Sequence, residues 1–142
     1  MISLNPGEKK RPLADVASGG ELSRIMLALK SVFAKKDEIE TLIFDEIDTG
    51  ISGRTALVVG RKMSEIAGHH QLIAITHLPQ IAAYGDDNYL ITKSIIDEKS
   101  HTDIEHLDAE GKIRMVATLF SGSAQSESAL DAARELIAGT GK

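Results

Sequence analysis

Two short stretches of this chain carry residue types that the chemistry of a nucleoside triphosphate uses. Ser18-Gly19-Gly20-Glu21 sets a hydroxyl and two glycines before an amphipathic run, and Thr41-Leu42-Ile43-Phe44-Asp45-Glu46 ends an apolar run in adjacent carboxylates. A helix N-terminus presents unpaired backbone N–H groups and about half a positive charge, so the first stretch offers a phosphate a seat that glycines let it approach closely. The plainer alternative is that Ser18 caps the helix and Glu21, three residues on, completes a capping box. Asp45 and Glu46 fall at the carboxyl end of a buried strand, where open α/β sheets place their ligand crevice, and successive strand residues point to opposite faces. The first carboxylate of such a pair can hold Mg²⁺, mostly through water, while the second orients or deprotonates an attacking water. The alternative is a pair of surface acids. Asp48, in the polar turn Asp48-Thr49-Gly50, either joins the site or helps cap the next helix. His77 stands one residue past a second apolar strand, within reach of a terminal phosphate if the two strands are neighbours, and is otherwise a bystander. No GxxxxGK[ST] loop occurs in the 142 residues, and Gly60-Arg61-Lys62 falls inside a helical pattern.

The elements that must position these residues follow from periodicity. Residues 1–4 read as a short strand, stopped by Asn5-Pro6-Gly7-Glu8, with a loop to about residue 18. From Glu21, the spacing of Leu22, Ile25, Met26, Leu29, Val32 and Phe33 defines one helical face to about Lys35. Thr41 to Phe44 and Gln71 to Thr76 read as buried parallel strands, with a helix from Ser52 or Gly53 to about His69 between them. Pro79 suits a first helical turn, and a short helix continues to Tyr84. This alternation predicts an α/β fold with a mostly parallel sheet. Asn88 to Ile96 and Thr102 to Leu107, joined around Asp97-Glu98-Lys99-Ser100, read as a hairpin at the sheet's edge. Two helices, about Ala109 to Phe120 and Ser126 to Ala138, close the chain around Ser121-Gly122-Ser123.

At 42% hydrophobic and 26% charged residues, 142 residues predict one compact unit with a real core. The lack of cysteine excludes disulfides and thiolate metal sites. No apolar run approaches the roughly 20 residues that cross a bilayer, and no secretory pattern opens the chain, so a cytoplasmic protein without a membrane partner is expected. A formal charge of −5 argues against a broad DNA-binding surface on this chain. Lys9-Lys10-Arg11 reads as a solvated loop. His69 and His70 close a helix, and His101 and His106 are too far apart in context for a metal site.

Ala17-Ser18-Gly19-Gly20-Glu21-Leu22-Ser23-Arg24, the run Leu42 to Gly53, Ile75-Thr76-His77-Leu78-Pro79-Gln80-Ile81-Ala82-Ala83 and Asn5-Pro6-Gly7-Glu8 together closely resemble the RecN family of bacterial DNA-repair proteins, in the family's order. The segments cover the chain to about Ala83, and the hairpin (88–107) and final helices (108–142) are similar in layout with weaker motifs. The family belongs to the SMC-like, ABC-type ATPases, whose heads are split by a long coiled coil. The resemblance therefore implies that residues 1–142 form the C-terminal lobe of a P-loop NTPase head, with residues 1–18 as its N-terminal strand and loop. It implies that Ser18, Gly19, Gly20 and Glu21 form the signature loop, acting on the γ-phosphate of ATP held by the opposite head. Asp45 matches the Walker B metal carboxylate, Glu46 the catalytic glutamate, Asp48 the D-loop acid and His77 the switch histidine.

It further implies ATP as substrate with Mg²⁺, a role in DNA double-strand break repair and recombination, and a nucleoid-associated location. The implied partners are the N-terminal lobe of the same head, a second head in a homodimer, and DNA reached through the parent protein. The Walker A loop, Q-loop and coiled coil have no counterpart here, so the chain alone is expected to bind ATP poorly and hydrolyse essentially none. The main rival is a non-enzymatic interaction module that pairs with a complete head. A more distant one is an Mg²⁺-dependent hydrolase built on Asp45, Glu46 and Asp48.

Overall fold

A computed structural model describes residues 7, 9, 12, 17–33, 38–96, 98–123 and 126–141. The expected strand at residues 1–4, most of the Asn5-Pro6-Gly7-Glu8 turn, Lys10 and Arg11 lie outside the described residues. Instead of one compact unit the chain forms two, Met1–Thr76 and His77–Lys142.

In the first unit, helix α1 (Gly19–Phe33) leads to strand β1 (Thr41–Phe44), helix α2 (Gly53–Ala67) and strand β2 (Gln71–Ala74). β1 and β2 pair in parallel with Thr41 level with Gln71 and Phe44 with Ala74, the arrangement that needs α2 as its crossover. α1 starts two residues earlier than its apolar spacing suggests, because its first turn is glycine, and α2 ends two residues before His69. β2 stops at Ala74, two residues short of Thr76, although the Ile75 N–H still donates to Phe44 O. The strands are not buried on both faces. Leu42 and Phe44 point into a core with Leu27, Ala56, Val59, Met63 and Ile66, while Ile43 is 69% exposed and its register partner Ile73 is exposed too. A two-stranded sheet covered by helices on one face leaves alternate side chains outside. α1 is likewise sunk through Leu27, while Leu22, Met26, Leu29, Val32 and Phe33 of the apolar stripe are exposed. His70, expected merely to close a helix, is buried with Nδ1 2.5 Å from Ile39 O.

The second unit comprises α3 (Pro79–Ala82), strands β3 (Asn88–Ile96) and β4 (Lys99–Leu107), and helices α4 (Ala109–Ser121) and α5 (Glu127–Ala138). The hairpin corrects the expected edge of a single sheet. β3 and β4 pair with each other over nine residues as a separate antiparallel sheet, with only two residues between them, so β4 begins at Lys99 and not at Thr102. Periodicity identifies strands but carries no information on which strand is whose neighbour. The core here is Ala82, Val116, Ala117, Ala129 and Ala133, small side chains that let α4 and α5 approach closely. Asp108 caps α4 by accepting the Gly111 N–H at 2.7 Å, and Gly122, left-handed at φ 73°, ends it. Among the described residues no helix is long and apolar enough to cross a membrane.

Candidate functional site

The start of α1 is a complete capping box. The Ser18 N–H and hydroxyl both donate to Glu21 Oε2, at 2.8 and 2.9 Å, and the Glu21 N–H donates to Ser18 Oγ at 3.3 Å. The backbone bond from Ser18, then its hydroxyl, then the nearby charge of Arg24 hold the Glu21 carboxyl below its ordinary value. The plainer alternative for Ser18 and Glu21 is therefore realised, and Glu21 is engaged by its own helix.

What distinguishes this helix start is the turn that faces it. β1 delivers Asp45 and Glu46 to its carboxyl end, both exposed, and the Glu46 N–H donates to Asp45 Oδ1 at 2.8 Å. Glu46 is left-handed, with φ 57°. A non-glycine residue there is costly, on the order of 1 kcal/mol, and persists only where the surroundings dictate it. Ile47, fully buried, anchors the turn, and Gly50, at φ 74°, lets it reverse. A Cβ on Gly19 would stand 2.0 Å from Glu46 Oε2, and one on Gly20 would stand 2.8 Å from Glu46 O and 2.9 Å from Thr49 O. The two glycines thus permit the carboxylate-bearing turn to lie directly on the start of α1.

Asp48 is 4% exposed and accepts the Thr76 hydroxyl at 2.6 Å, which ties the turn to the segment following β2. The N-cap position of α2 is held by Ser52, without a side-chain bond. His77 opens the second unit and is exposed. Among the described residues, no three His, Cys, Asp or Glu side chains gather as a metal cage. The donor set around Asp45 fits a cation that takes one carboxylate and draws its other ligands from water and phosphate, as Mg²⁺ does. A groove of about 330 Å³ between α1 and α2 is lined by Leu27, Ala28, Val58 and Val59 with Arg24 and Lys62, and the carboxylates do not line it.

Ser23, Arg24 and Thr76 belong to this constellation and received no role from the residue types. Ser23 Oγ donates to Asp45 O at 2.8 Å, and Arg24 Nη1 donates to Ile47 O and Thr49 O at 3.1 and 2.8 Å. One signal was present, since Ser23 and Arg24 stand four residues after Gly19 and Gly20 and so share their helical face.

No protein-family model matches the chain. Over 137 residues, 96% of its length, it is 45% identical to the DNA repair protein RecN of Treponema pallidum. It is 42% identical over 136 residues to RecN of Halalkalibacterium halodurans and 39% identical over 137 residues to that of Bacillus subtilis. The chain spans about a quarter of the length of these relatives, 24% in each case. A solved structure concerned with ATP-driven dimerization and DNA-stimulated activation of SMC ATPases matches with a TM-score of 0.52 at 23% identity, over 81% of this chain and 68% of the other. The chain has an α/β fold that resembles that structure, with a small parallel sheet, an antiparallel hairpin and C-terminal helices.

Proposed function

We propose that this chain, a homologue of one segment of RecN, is the C-terminal lobe of an SMC-like ATPase head that binds and hydrolyses ATP in DNA double-strand break repair and recombination. Its activity requires an N-terminal lobe carrying a Walker A loop and the pairing of two heads. The observation that carries the reading is the contact of Gly19 and Gly20 with the turn that β1 ends in, because it joins a helix N-terminus to a carboxylate pair at a parallel strand's carboxyl end.

In this reading Asp45 would hold Mg²⁺ through water, and the ion would supply charge neutralisation to the phosphates. Glu46 orients the attacking water and accepts its proton. Gly19 and Gly20 present backbone N–H groups to a γ-phosphate held by the opposite head, with Ser18 and Glu21 bracing the helix start through their capping box. Asp48 shapes the D-loop, and the resemblance gives His77, which opens the second unit, the part of the switch histidine. DNA is reached through the rest of the parent protein, since this chain carries a net charge of −5.

The exposed apolar residues Ile43, Ile73 and Ile75 on and beside the sheet support a protein partner over it, which also suits a non-enzymatic module that binds a complete head. Titrating the chain into a Walker A-bearing N-terminal lobe separates the two: restored turnover supports the split head, and binding without turnover supports the module. In the restored head, Glu46→Gln is expected to slow hydrolysis by about 10²–10⁴ with nucleotide binding retained. Equal loss of binding and turnover would overturn the catalytic role of Glu46.

A further inference from the structure

Every backbone carbonyl from Asp45 to Thr49 accepts a hydrogen bond. The Glu46 and Asp48 carbonyls are taken by the N–H groups of Thr49 and Ile51 within the turn itself. The other three, at Asp45, Ile47 and Thr49, are taken by side chains of α1: Ser23 on the first, and a single guanidinium nitrogen of Arg24 on the other two. Local bonding alone therefore leaves alternate carbonyls of the turn unsatisfied, and α1 satisfies all of them. Between the three α1-bound carbonyls sits Glu46 in its left-handed conformation. Such a conformation is held only by surroundings that over-determine it, and Arg24 brings a permanent charge with two N–H groups from one atom.

We infer that Arg24, assisted by Ser23, is a positioning residue for Glu46: it fixes the left-handed turn that aims the carboxylate over Gly19, and it makes the carboxylate follow any movement of the α1 N-terminus. The inference rests on the reading of Glu46 as the residue that orients water. It adds a regulatory consequence to it. An anion arriving at Gly19 and Gly20 contacts the helix turn next to the one that carries Ser23 and Arg24, on the same face, so occupation of that end is transmitted to Glu46 through three hydrogen bonds. The Gly20 contact makes the transmission stiff, because the facing atoms are backbone carbonyls without rotamers to absorb a shift.

The test is a mutant cycle in the full-length protein that carries this sequence, following steady-state and single-turnover ATP hydrolysis. Arg24→Met is expected to lower kcat by about 10–10²-fold, the usual penalty for a displaced catalytic group, with KM for ATP within about twofold. Arg24→Lys, which keeps a cationic donor, is expected to recover part of that loss. The decisive measurement is Arg24→Met combined with Glu46→Gln. If Arg24 acts through Glu46, the double variant is no slower than Glu46→Gln alone. Losses that multiply would overturn the inference while leaving Glu46 its role. Glu46→Gln turning over at the parental rate would instead remove the reading on which it rests. Should Arg24→Met fail to fold, Ser23→Ala in the same cycle replaces it, with a smaller loss in kcat expected and the same absence of further loss beside Glu46→Gln; multiplied losses there overturn the inference equally.

Discussion

Of the three described helices that follow a serine, only α1 and α5 use its hydroxyl as a cap, and they put it to different use. Ser18 precedes α1 and Ser126 precedes α5, and each hydroxyl accepts an N–H three residues on, from Glu21 and from Ala129, at 3.3 Å. At α5 the cap serves packing. Its next residues lead into Ala129 and Ala133, which are buried against α4, and Ser126 Oγ shares its remaining capacity with Ser128 at 2.6 Å. At α1 the cap is followed by two glycines, and the space their missing side chains leave is filled by the turn bearing Asp45 and Glu46. A serine cap is thus uninformative by itself. What distinguishes α1 is that its first turn is stripped to backbone where another backbone and a carboxylate approach it.

The strongest way to break this contrast is to restore a side chain at each glycine. Gly20→Ala places a methyl 2.8 Å from Glu46 O and 2.9 Å from Thr49 O, atoms that move only with the turn itself. A destabilisation of about 1–3 kcal/mol is expected, read as a lower midpoint of denaturant or thermal unfolding. Gly19→Ala meets only the end of the Glu46 side chain, which can swing away. Its stability is expected within about 0.5 kcal/mol of the parent. If Gly20→Ala is as stable as Gly19→Ala, the close approach of helix and turn is absent in solution.

A smaller effect sharpens the comparison. Ser18→Ala and Ser126→Ala each remove one cap, and each is expected to cost about 1 kcal/mol of stability. If the proposed head is an ATPase, only Ser18→Ala is expected to lower its turnover, because of the two caps only that of α1 starts against the carboxylates. Matching losses of activity from both would reduce Ser18 to a purely structural cap.

Much of the α1 region was legible from residue types, and the reasons differ by residue. Leu22 to Phe33 announce a helix by spacing, and Thr41 to Phe44 a strand by β-branched and aromatic content ending abruptly in acids. The capping box was legible because it is local, spanning only Ser18 to Glu21. The Arg24 bonds were not, since their acceptors are backbone carbonyls, which every residue carries and no sequence pattern marks. Asp48 reads as a site acid or a helix cap, and its burial beside the Thr76 hydroxyl, 28 residues away, is a long-range feature that neither reading marks. The stripe on α1 was correct as periodicity, but spacing does not say what covers it, and Leu27, outside that stripe, is the side chain that α1 buries. The separation of the hairpin from the parallel sheet was illegible for a related reason: strand order is a long-range property.

The subtlest expected difference between the two helix starts is in their response to acid. α1 carries Glu21 at the third helical position, where α5 carries Ala129, so only α1 has a titratable group within its cap. The two bonds from Ser18, backbone first, and the charge of Arg24 favour the ionised form of Glu21 and lower its folded value from the ordinary 4.5. A carboxyl lowered on folding stabilises the fold above its unfolded value, and that contribution disappears as pH falls through the lowered folded value. Acidification from neutral pH is therefore expected to loosen the first turn of α1 only below the ordinary glutamate range, while the α5 cap, made of hydroxyls, has no corresponding step. Carbon-detected NMR of the Glu21 carboxyl, read beside the amide shifts of Ser18 and Ala129, measures this directly. A Glu21 midpoint at or above 4.5 would mean that its carboxylate does not engage Ser18 in solution, leaving it available to repel an anion at the very end of the helix proposed to receive one.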